Sequence, residues 1–313
     1  MTGQPLPHRT RSYRSHVTDS RRWDRFVPRA GDIVISTPPK SGTTWTQRIV
    51  SLLVFQGTGP AEPLGRTSPW IDSAFLALVD DCFPVIERQT HRRFLKSHLP
   101  LDALPYFPEV RYITVARDGR DAFMSFWNHM RSFTPAAYEL LDRAAPPGHG
   151  PFPRTPDDIH EFWRSWIGDA SDADPALGSE LMIDVVRSFW EFRRVENILL
   201  VHYNDLKQDL DGEMRRIAAF LEIPVHEPTW GELVEAATFE AMRRDGPKLL
   251  EGFELIFEGG AQTFLHKGTN QRWRNVLRPA ELAEYDALVR RTCSPDLARW
   301  LERGREGRDP RTI

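Results

Sequence analysis

The segment at residues 36–45, Ser-Thr-Pro-Pro-Lys-Ser-Gly-Thr-Thr-Trp, constrains the fold of this chain more than any other. It follows the apolar run at 32–35 and precedes the helix-compatible residues 44–50, which predicts a strand, a tight loop and a helix. Such a loop directs backbone N–H groups and the positive end of the helix dipole toward one point, and Lys40 adds a charge. The segment therefore predicts a phosphate site.

This loop differs from a Walker A motif, in which the lysine follows the second glycine. Here Lys40 precedes Gly42, and Thr37 stands where the first glycine would fall. The placement of the lysine argues against a P-loop kinase of small molecules, which we keep as one alternative.

Composition excludes several classes of protein. The chain has 313 residues, of which 40% are hydrophobic and 27% charged, with a net charge of −3. These values predict a water-soluble globular protein without a broad basic surface for nucleic acid. No apolar run approaches the ~18 residues of a membrane span, and no signal peptide is recognisable. We therefore predict a cytoplasmic protein, whose Cys82 and Cys293 are either bystander thiols or a disulfide.

Strand-like and helix-like segments alternate from residue 31 onward. The predicted strands are 33–36, 93–96, 110–115 and 198–201. The predicted helices are 44–56, 119–131, 158–168, 179–194 and 205–221. This alternation predicts one α/β domain with a central, mostly parallel sheet and helices on both faces.

We divide the chain into an N-terminal arm (1–30), one domain (31–303) and a C-terminal tail (304–313). Within the domain, residues 133–157 are rich in proline and glycine, which precludes regular structure over much of the segment. A long loop of this kind is either a lid over a pocket or a surface excursion. Residues 246–263 contain four glycines and are a candidate for a second cover.

Two further segments carry residues suited to chemistry. A predicted strand ends near Arg117, and Ser125 follows just inside the next helix; an arginine and a hydroxyl near a helix start can clamp a phosphate. His98 follows the strand at 93–96, where open α/β sheets place ligand chemistry. A histidine has an unperturbed pKa near neutrality, which suits removal of a proton from a hydroxyl group. Either residue alone could equally be a surface or packed side chain.

Four segments in this order resemble the cytosolic-type sulfotransferases: Lys-Ser-Gly-Thr-Thr-Trp at 40–45, Lys-Ser-His-Leu-Pro at 96–100, the stretch 111–125, and His-Lys-Gly-Thr-Asn-Gln-Arg-Trp-Arg at 266–274. The resemblance spans about residues 31–280. It implies a P-loop NTPase-like sulfotransferase fold. It also implies transfer of a sulfuryl group from 3′-phosphoadenosine 5′-phosphosulfate (PAPS) to an acceptor, with release of 3′-phosphoadenosine 5′-phosphate (PAP) and no metal.

The resemblance implies a role for each matching residue. His98 corresponds to the general base, Lys40 to the lysine at the bridging and 5′-phosphate oxygens, and Lys96 to a group that stabilises the transferring sulfuryl. The implied PAPS-binding residues are Lys40, Ser41, Gly42, Thr43, Thr44, Trp45, Arg117, Ser125, Tyr203, Phe239, Lys267 and Gly268.

The segment at 266–274 departs from the family pattern. His266 replaces a usual arginine, Gln271 replaces a glycine and Arg274 replaces a lysine. A neutral histidine is a poor substitute for a permanent cation, so PAPS is bound more weakly or another arginine supplies the charge. Ala237 also replaces a hydroxyl residue that contacts the adenine in the family.

Surplus aromatic residues predict an apolar acceptor pocket, although core packing is an equal alternative for each of them. The candidates are Trp70, Phe75, Phe83, Trp127, Phe133, Phe152 and Phe253. We expect a small hydrophobic alcohol or phenol as the acceptor. The segment 275–283 lacks the family's usual dimer motif, so a monomer and a different homodimer remain equally open. A nucleotide-binding module without catalysis is the non-enzyme alternative.

Overall fold

The computed structural model describes residues 5–59, 62–168 and 178–313, so residues 1–4 of the arm lie outside the described part. Its sheet has four parallel strands in the order β2-β1-β3-β4. The strands are β1 Ile33–Ser36, β2 Phe94–Ser97, β3 Arg111–Ala116 and β4 Ile198–His202. The predicted parallel α/β sheet is confirmed, and each strand begins within one residue of its predicted start.

Strand β1 is buried along its whole length, as expected for a strand covered on both faces. Successive side chains of a strand point to opposite faces. Accordingly, Val34 packs into one hydrophobic core, together with Trp23 of the arm. Ile33 and Ile35 pack into the other core, on the opposite face of the sheet. The short β-branched run therefore joins two separate cores.

The helices of the described residues cover both faces of this sheet and surround its carboxyl edge. They are α1 Thr43–Phe55, α2 Leu64–Thr67, α3 Phe83–Arg88, α4 Gly119–Arg131, α5 Pro135–Arg143, α6 Ile159–Ile167, α7 Ser179–Glu191, α8 Tyr203–Gln208, α9 Leu210–Phe220, α10 Glu227–Ala236, α11 Phe239–Leu249, α12 Gly260–Phe264, α13 Pro279–Thr292 and α14 Pro295–Arg303. The helix predicted at 205–221 is two helices, because Asp209 ends α8 and caps α9 by accepting a hydrogen bond from the Gly212 N–H. None of these helices is long and apolar enough to cross a membrane.

The proline-rich segment 133–157 is more regular than predicted. Helix α5, which was not predicted, occupies its first part. Pro135 stands in the first turn of the helix, where the missing N–H costs nothing, and Thr134 caps the helix by accepting from the Ala137 N–H. The remainder, residues 144–157, contains no helix or strand.

Each strand of the sheet ends beside a residue singled out in the sequence. The phosphate loop follows β1, His98 follows β2, Arg117 follows β3 and Tyr203 follows β4. The chain moves from β1 to β2 on one side and then returns to place β3 on the other side of β1. In open α/β sheets, ligands bind at the carboxyl edge beside such a switch point. The topology therefore brings the four groups to one edge.

A buried ion pair joins the start of β1 to the start of β2. Arg93 and Asp32 are 4% and 2% exposed, and Arg93 Nε donates to Asp32 Oδ1 at 2.9 Å. Arg93 Nη2 also donates to the carbonyl of Val27 at 2.9 Å, and the Arg29 N–H donates to Asp32 Oδ2. The pair thus holds the end of the arm against the sheet.

We expect Arg93→Met to destabilise the protein strongly, because it leaves the Asp32 carboxylate buried without its partner. The expected loss is about 3–5 kcal/mol of unfolding free energy, measured by urea denaturation. The matched control is Arg111→Met, which removes an exposed pair with Glu222 and should cost less than about 1 kcal/mol. Equal losses of unfolding free energy in the two variants would contradict the conclusion that the buried pair of Arg93 and Asp32 stabilises the fold.

Candidate active site

A cavity of ≈ 710 Å³ opens at the carboxyl edge of the sheet. The phosphate loop, the residues after β2 and β3, one face of α4, and the segments 250–257 and 264–272 line it. Its polar groups gather near the strand ends, and its apolar groups extend away from them. The cavity therefore has the form of a polar site joined to an apolar pocket.

The loop after β1 has the geometry of an anion site. Gly42 takes a φ of 113° and Lys40 a φ of 64°, and a Cβ on Gly42 would lie 3.1 Å from the ring of Tyr203. The N–H groups at the start of α1 have no partner within the helix and lie at its positive end. The hydroxyl of Ser41 is buried without a hydrogen-bond partner. A polar ligand is the natural partner for these groups.

Arg117 joins the strand edge to the segment at 266–274. Its Nη2 donates to the Thr269 carbonyl at 3.1 Å and to Asn270 Oδ1 at 2.8 Å, and its Nη1 donates to the Lys40 carbonyl at 3.3 Å. Its guanidinium lies over the Tyr203 ring, while its Nε is buried without a partner. Ser125 lines the same cavity. The predicted pair is therefore brought to one site.

Three aromatic residues border the outer end of the polar region. The Trp45 ring packs edge-on against Tyr203 at 5.3 Å, and its Nε1 donates to the Ala237 carbonyl at 2.7 Å. Phe239 lies against Gly268, whose φ is 61°; a Cβ there would be 2.9 Å from the Phe239 ring. The close approach explains why this position is glycine. Lys267 also lines the cavity.

His98 is held with one ring nitrogen facing the backbone. Its Nδ1 lies 2.7 Å from the Thr37 carbonyl oxygen, which can only accept, so Nδ1 carries the proton. Nε2 is then the nitrogen with a free lone pair. Burial and the nearby charge of Lys96 hold the pKa of His98 well below 6.5. The ring is therefore neutral near neutral pH and able to accept a proton at Nε2.

The Asp72 carboxylate accepts hydrogen bonds from His98 and from two tryptophans. Its Oδ2 accepts from Trp70 Nε1 at 2.9 Å and from the His98 N–H at 3.2 Å, and its Oδ1 accepts from Trp23 Nε1 at 3.1 Å. Asp72 is fully buried. Since Trp70 lies edge-on to His98 at 4.9 Å, the Asp72 carboxylate holds both the indole beside the His98 ring and the backbone of His98.

Lys40 and Lys96 both lie in the polar region of the cavity, and the pKa of each is lowered. Burial, reinforced by the charges of Lys96 and Arg117, lowers the pKa of Lys40 to about 7. Burial lowers the pKa of Lys96 to about 8, although the Asp72 carboxylate opposes this. The Lys40 ammonium lies 3.3 Å from His129 Nδ1, and Lys96 lies over the Trp70 ring at 4.0 Å. An anionic ligand would restore the charge of both lysines.

The aromatic candidates for the acceptor pocket divide into two groups. Five of them line the cavity: Trp70, Phe75, Phe133, Phe152 and Phe253. Phe83 and Trp127 do not, and their assignment to the pocket is wrong. Phe83 packs in the core beneath the arm, under Arg25, and Trp127 points away from the cavity toward Phe162. Their side chains leave α3 and α4 on the faces that meet other helices.

The altered segment at 266–274 contains an arginine that lines the cavity beside His266. Arg272 lines the cavity, and its Nη1 lies 3.4 Å from His266 Nδ1. Burial and, to a smaller extent, the charge of Arg117 lower the pKa of Arg272. Gln271 takes a φ of 63° and donates its N–H to Asp121 Oδ1 at 2.5 Å. A glutamine thus takes the left-handed backbone conformation that ordinarily favours glycine.

Comparisons with known proteins agree with this geometry. Residues 30–299 match the family model of the sulfotransferase domain. The glycolipid sulfotransferase of Mycobacterium bovis (strain BCG / Pasteur 1173P2) is 33% identical, over 95% of this chain and 96% of that protein. The chain belongs to the sulfotransferase family. Sulfotransferase 1B1 of Mus musculus is 26% identical, over 87% of each chain.

A solved structure supports the fold of this sulfotransferase. Retinol dehydratase in complex with androsterone and inactive cofactor PAP superposes with a TM-score of 0.67 at 20% identity, covering 87% of this chain and 83% of that one. At such identity the likeness concerns the fold alone. The predicted family, enzyme class and fold are therefore confirmed.

Several residues of this sulfotransferase site were missed in the sequence. Asp72 stands in no recognisable motif, and its role depends on contacts across the fold. His129 follows Ser125 by four residues, so helical spacing was the one signal that pointed to the cavity. Asn270 and Arg272 lie inside the matched segment but at positions that vary in its pattern.

The tautomer of His98 gives a testable expectation. Because its pKa lies well below 6.5, the ring should stay neutral between pH 6 and 9, with the proton on Nδ1. Nitrogen-15 NMR of histidine-labelled protein reports both the charge and the tautomer, and the signal is assigned from its absence in His98→Gln. A titration midpoint inside this pH range, or a proton on Nε2, would refute the expectation.

Proposed function

We propose that this sulfotransferase transfers a sulfuryl group from PAPS to the hydroxyl of a small, mostly apolar alcohol or phenol, with His98 as general base. The observation that carries the proposal is the hydrogen bond from His98 Nδ1 to the Thr37 carbonyl, which leaves Nε2 free within the same cavity as Lys40. A base and a phosphate loop in one cavity suit transfer from a phosphorylated donor to a hydroxyl.

The residues present fit PAPS. Two buried polar atoms of the site have no partner among the described residues: Arg117 Nε, in a residue that lines the cavity, and Ser41 Oγ, in the loop between the lining residues Lys40 and Gly42. The N–H groups at the start of α1, with Lys40, would hold the 5′-phosphosulfate; Ser41 contributes through its hydroxyl, since its N–H donates to the Pro38 carbonyl. Arg117 and Ser125 would hold the 3′-phosphate.

The remaining contacts would enclose the nucleoside. Trp45, Phe239 and Tyr203 border the cavity where an adenine can lie between aromatic rings, and Lys267 and the Gly268 N–H close it from the C-terminal segment. We assign to Arg272 the charge that His266 does not provide. When bound, PAPS supplies an activated sulfuryl group with a phosphate leaving group.

The protein contributes position and charge rather than covalent chemistry. His98 takes the proton of the acceptor hydroxyl at Nε2. Lys40 and Lys96 bear positive charge where negative charge gathers on the leaving and transferring oxygens, and their lowered pKa values rise when an anion is bound. Since lysines and N–H groups supply this stabilisation, we expect no requirement for a divalent metal.

The acceptor would lie in the apolar half of the cavity, against Phe133, Phe152 and Phe253. Their hydrophobic surface favours an apolar body on the acceptor. The relatives from Mycobacterium are glycolipid sulfotransferases, which supports an acceptor with a lipid-like part. A phenol and an aliphatic alcohol both satisfy these constraints.

Isothermal titration with PAP tests the donor site. We expect tight binding without metal, and loss of at least about 100-fold in affinity for Arg117→Ala, because two or more charge-assisted hydrogen bonds are removed. Arg272→Ala should lose at least about tenfold if it replaces the family arginine. The control is Arg274→Ala, whose side chain packs on Trp273 outside the cavity lining. Preference for ATP with magnesium would overturn the proposal.

Replacement of the base tests the reaction. We expect His98→Ala to lower kcat by about 10²–10⁴-fold while PAP binding stays within about threefold, because one general base contributes about that much to the rate. The control is His226→Ala, an exposed histidine that precedes α10 and does not line the cavity. Retention of more than about a tenth of the wild-type rate would remove His98 from this role. PAP binding without turnover on any acceptor would favour a nucleotide-binding module.

A further inference from the structure

The cavity contains a second histidine, His129, that the proposed reaction does not use. It lies on α4 one helical turn after Ser125, so both side chains reach the cavity from the same face. Aromatic rings surround it, with centroid distances of 5.1 Å to Phe133, 4.8 Å to Phe257 and 5.7 Å to Phe264. Aromatic rings offer few hydrogen-bond partners to the nitrogens of His129. Each polar contact that these nitrogens make therefore carries more energy than it would in water.

Contacts determine where the proton of His129 lies. Lys40 Nζ is 3.3 Å from Nδ1. When an anion such as PAP is bound, Lys40 regains its charge, and an ammonium can only donate. Nδ1 therefore accepts. Burial and the charge of Lys40 hold the pKa of His129 well below 6.5, so the ring is neutral and its one proton is on Nε2.

The second nitrogen of His129 is available to a ligand. Nε2 has no hydrogen-bond partner among the described residues, and it is not among their fully enclosed polar atoms. It is thus an N–H donor reached from the cavity. His98 has the opposite arrangement, since its Nδ1 donates to the backbone and its Nε2 accepts. One cavity therefore holds one histidine poised to accept a proton and another poised to donate a hydrogen bond.

We propose that His129 is a specificity-determining residue, which donates from Nε2 to an oxygen atom of the acceptor other than the hydroxyl that His98 deprotonates. The selected acceptors have at least two oxygen functions in a polar head group and an apolar body. The proposal rests on the proposed function, because it requires the acceptor hydroxyl at His98. A simple alcohol cannot use both histidines.

The geometry also separates this role from an effect on Lys40. A residue that acted only through Lys40 would alter PAP binding, whatever the acceptor. A residue that binds the acceptor changes the preference between two acceptors that share an apolar tail. These readouts are independent, so one set of variants distinguishes the two roles.

The test uses octyl β-D-glucopyranoside, below its micelle-forming concentration, and 1-octanol as probes that share their tail. Each is titrated calorimetrically into the PAP-loaded protein. We expect the wild type to bind the glucoside at least about tenfold more tightly, because an unpaired buried donor is costly. His129→Phe should reduce this preference at least about tenfold, with PAP affinity changed less than threefold. His129→Gln, which keeps an N–H donor, should retain most of the preference.

Three outcomes would overturn the proposal. They are a wild type without preference for the glucoside, a preference unchanged in His129→Phe, and loss of PAP affinity in step with loss of the glucoside. The control is His226→Phe at an exposed position. If the wild type does not bind PAP, the proposed function fails instead, and titration of the two probes without PAP still decides the role of His129. Should His129→Phe fold poorly, His129→Leu gives a second variant without a side-chain donor.

Discussion

The parallel pairing of four strands is the constraint on which this site depends. Because parallel ladders place all carboxyl ends at one edge, the phosphate loop, His98, Arg117 and Tyr203 meet although they are far apart in the chain. None of these groups is brought there by a long flexible loop. Their relative positions follow from the register of the ladders, so the precision of the site is that of the sheet.

Local pattern was sufficient for much of the fold. The β-branched runs predicted the four strands, and the spacing of apolar residues predicted α1 and α4 to within a residue at each end. The errors arose where one side chain decides the outcome. Asp209 divides a long helical pattern in two by capping, and Pro135 begins a helix that the proline-rich composition of its segment did not predict. Both depend on a position within the first turn rather than on composition.

Most residues that line the polar end of the cavity could be named from the sequence because they lie in contiguous motifs, whereas those around His98 and at the apolar end could not. Asp72 matters through contacts with Trp23, Trp70 and His98, which no local pattern records. His129 differs from an ordinary helical histidine only in what the fold places around it. Aromatic composition alone could not separate Phe133, which lines the cavity, from residues of the same type in the core. Whether an aromatic side chain reaches the cavity or the core depends on the direction in which it leaves the backbone.

The contacts of Arg117 also bear on how quickly the enzyme can take up and lose its donor. Its guanidinium already binds the Thr269 carbonyl and the Asn270 side chain. If Arg117 binds the 3′-phosphate as proposed, the phosphate would share or displace the hydrogen bonds that Arg117 makes to residues 269 and 270. Binding of the donor would then be coupled to a rearrangement of this segment, and such coupling lowers an association rate below that of diffusional encounter. Release of the product nucleotide would be coupled to the same rearrangement, and product release limits the turnover of many enzymes.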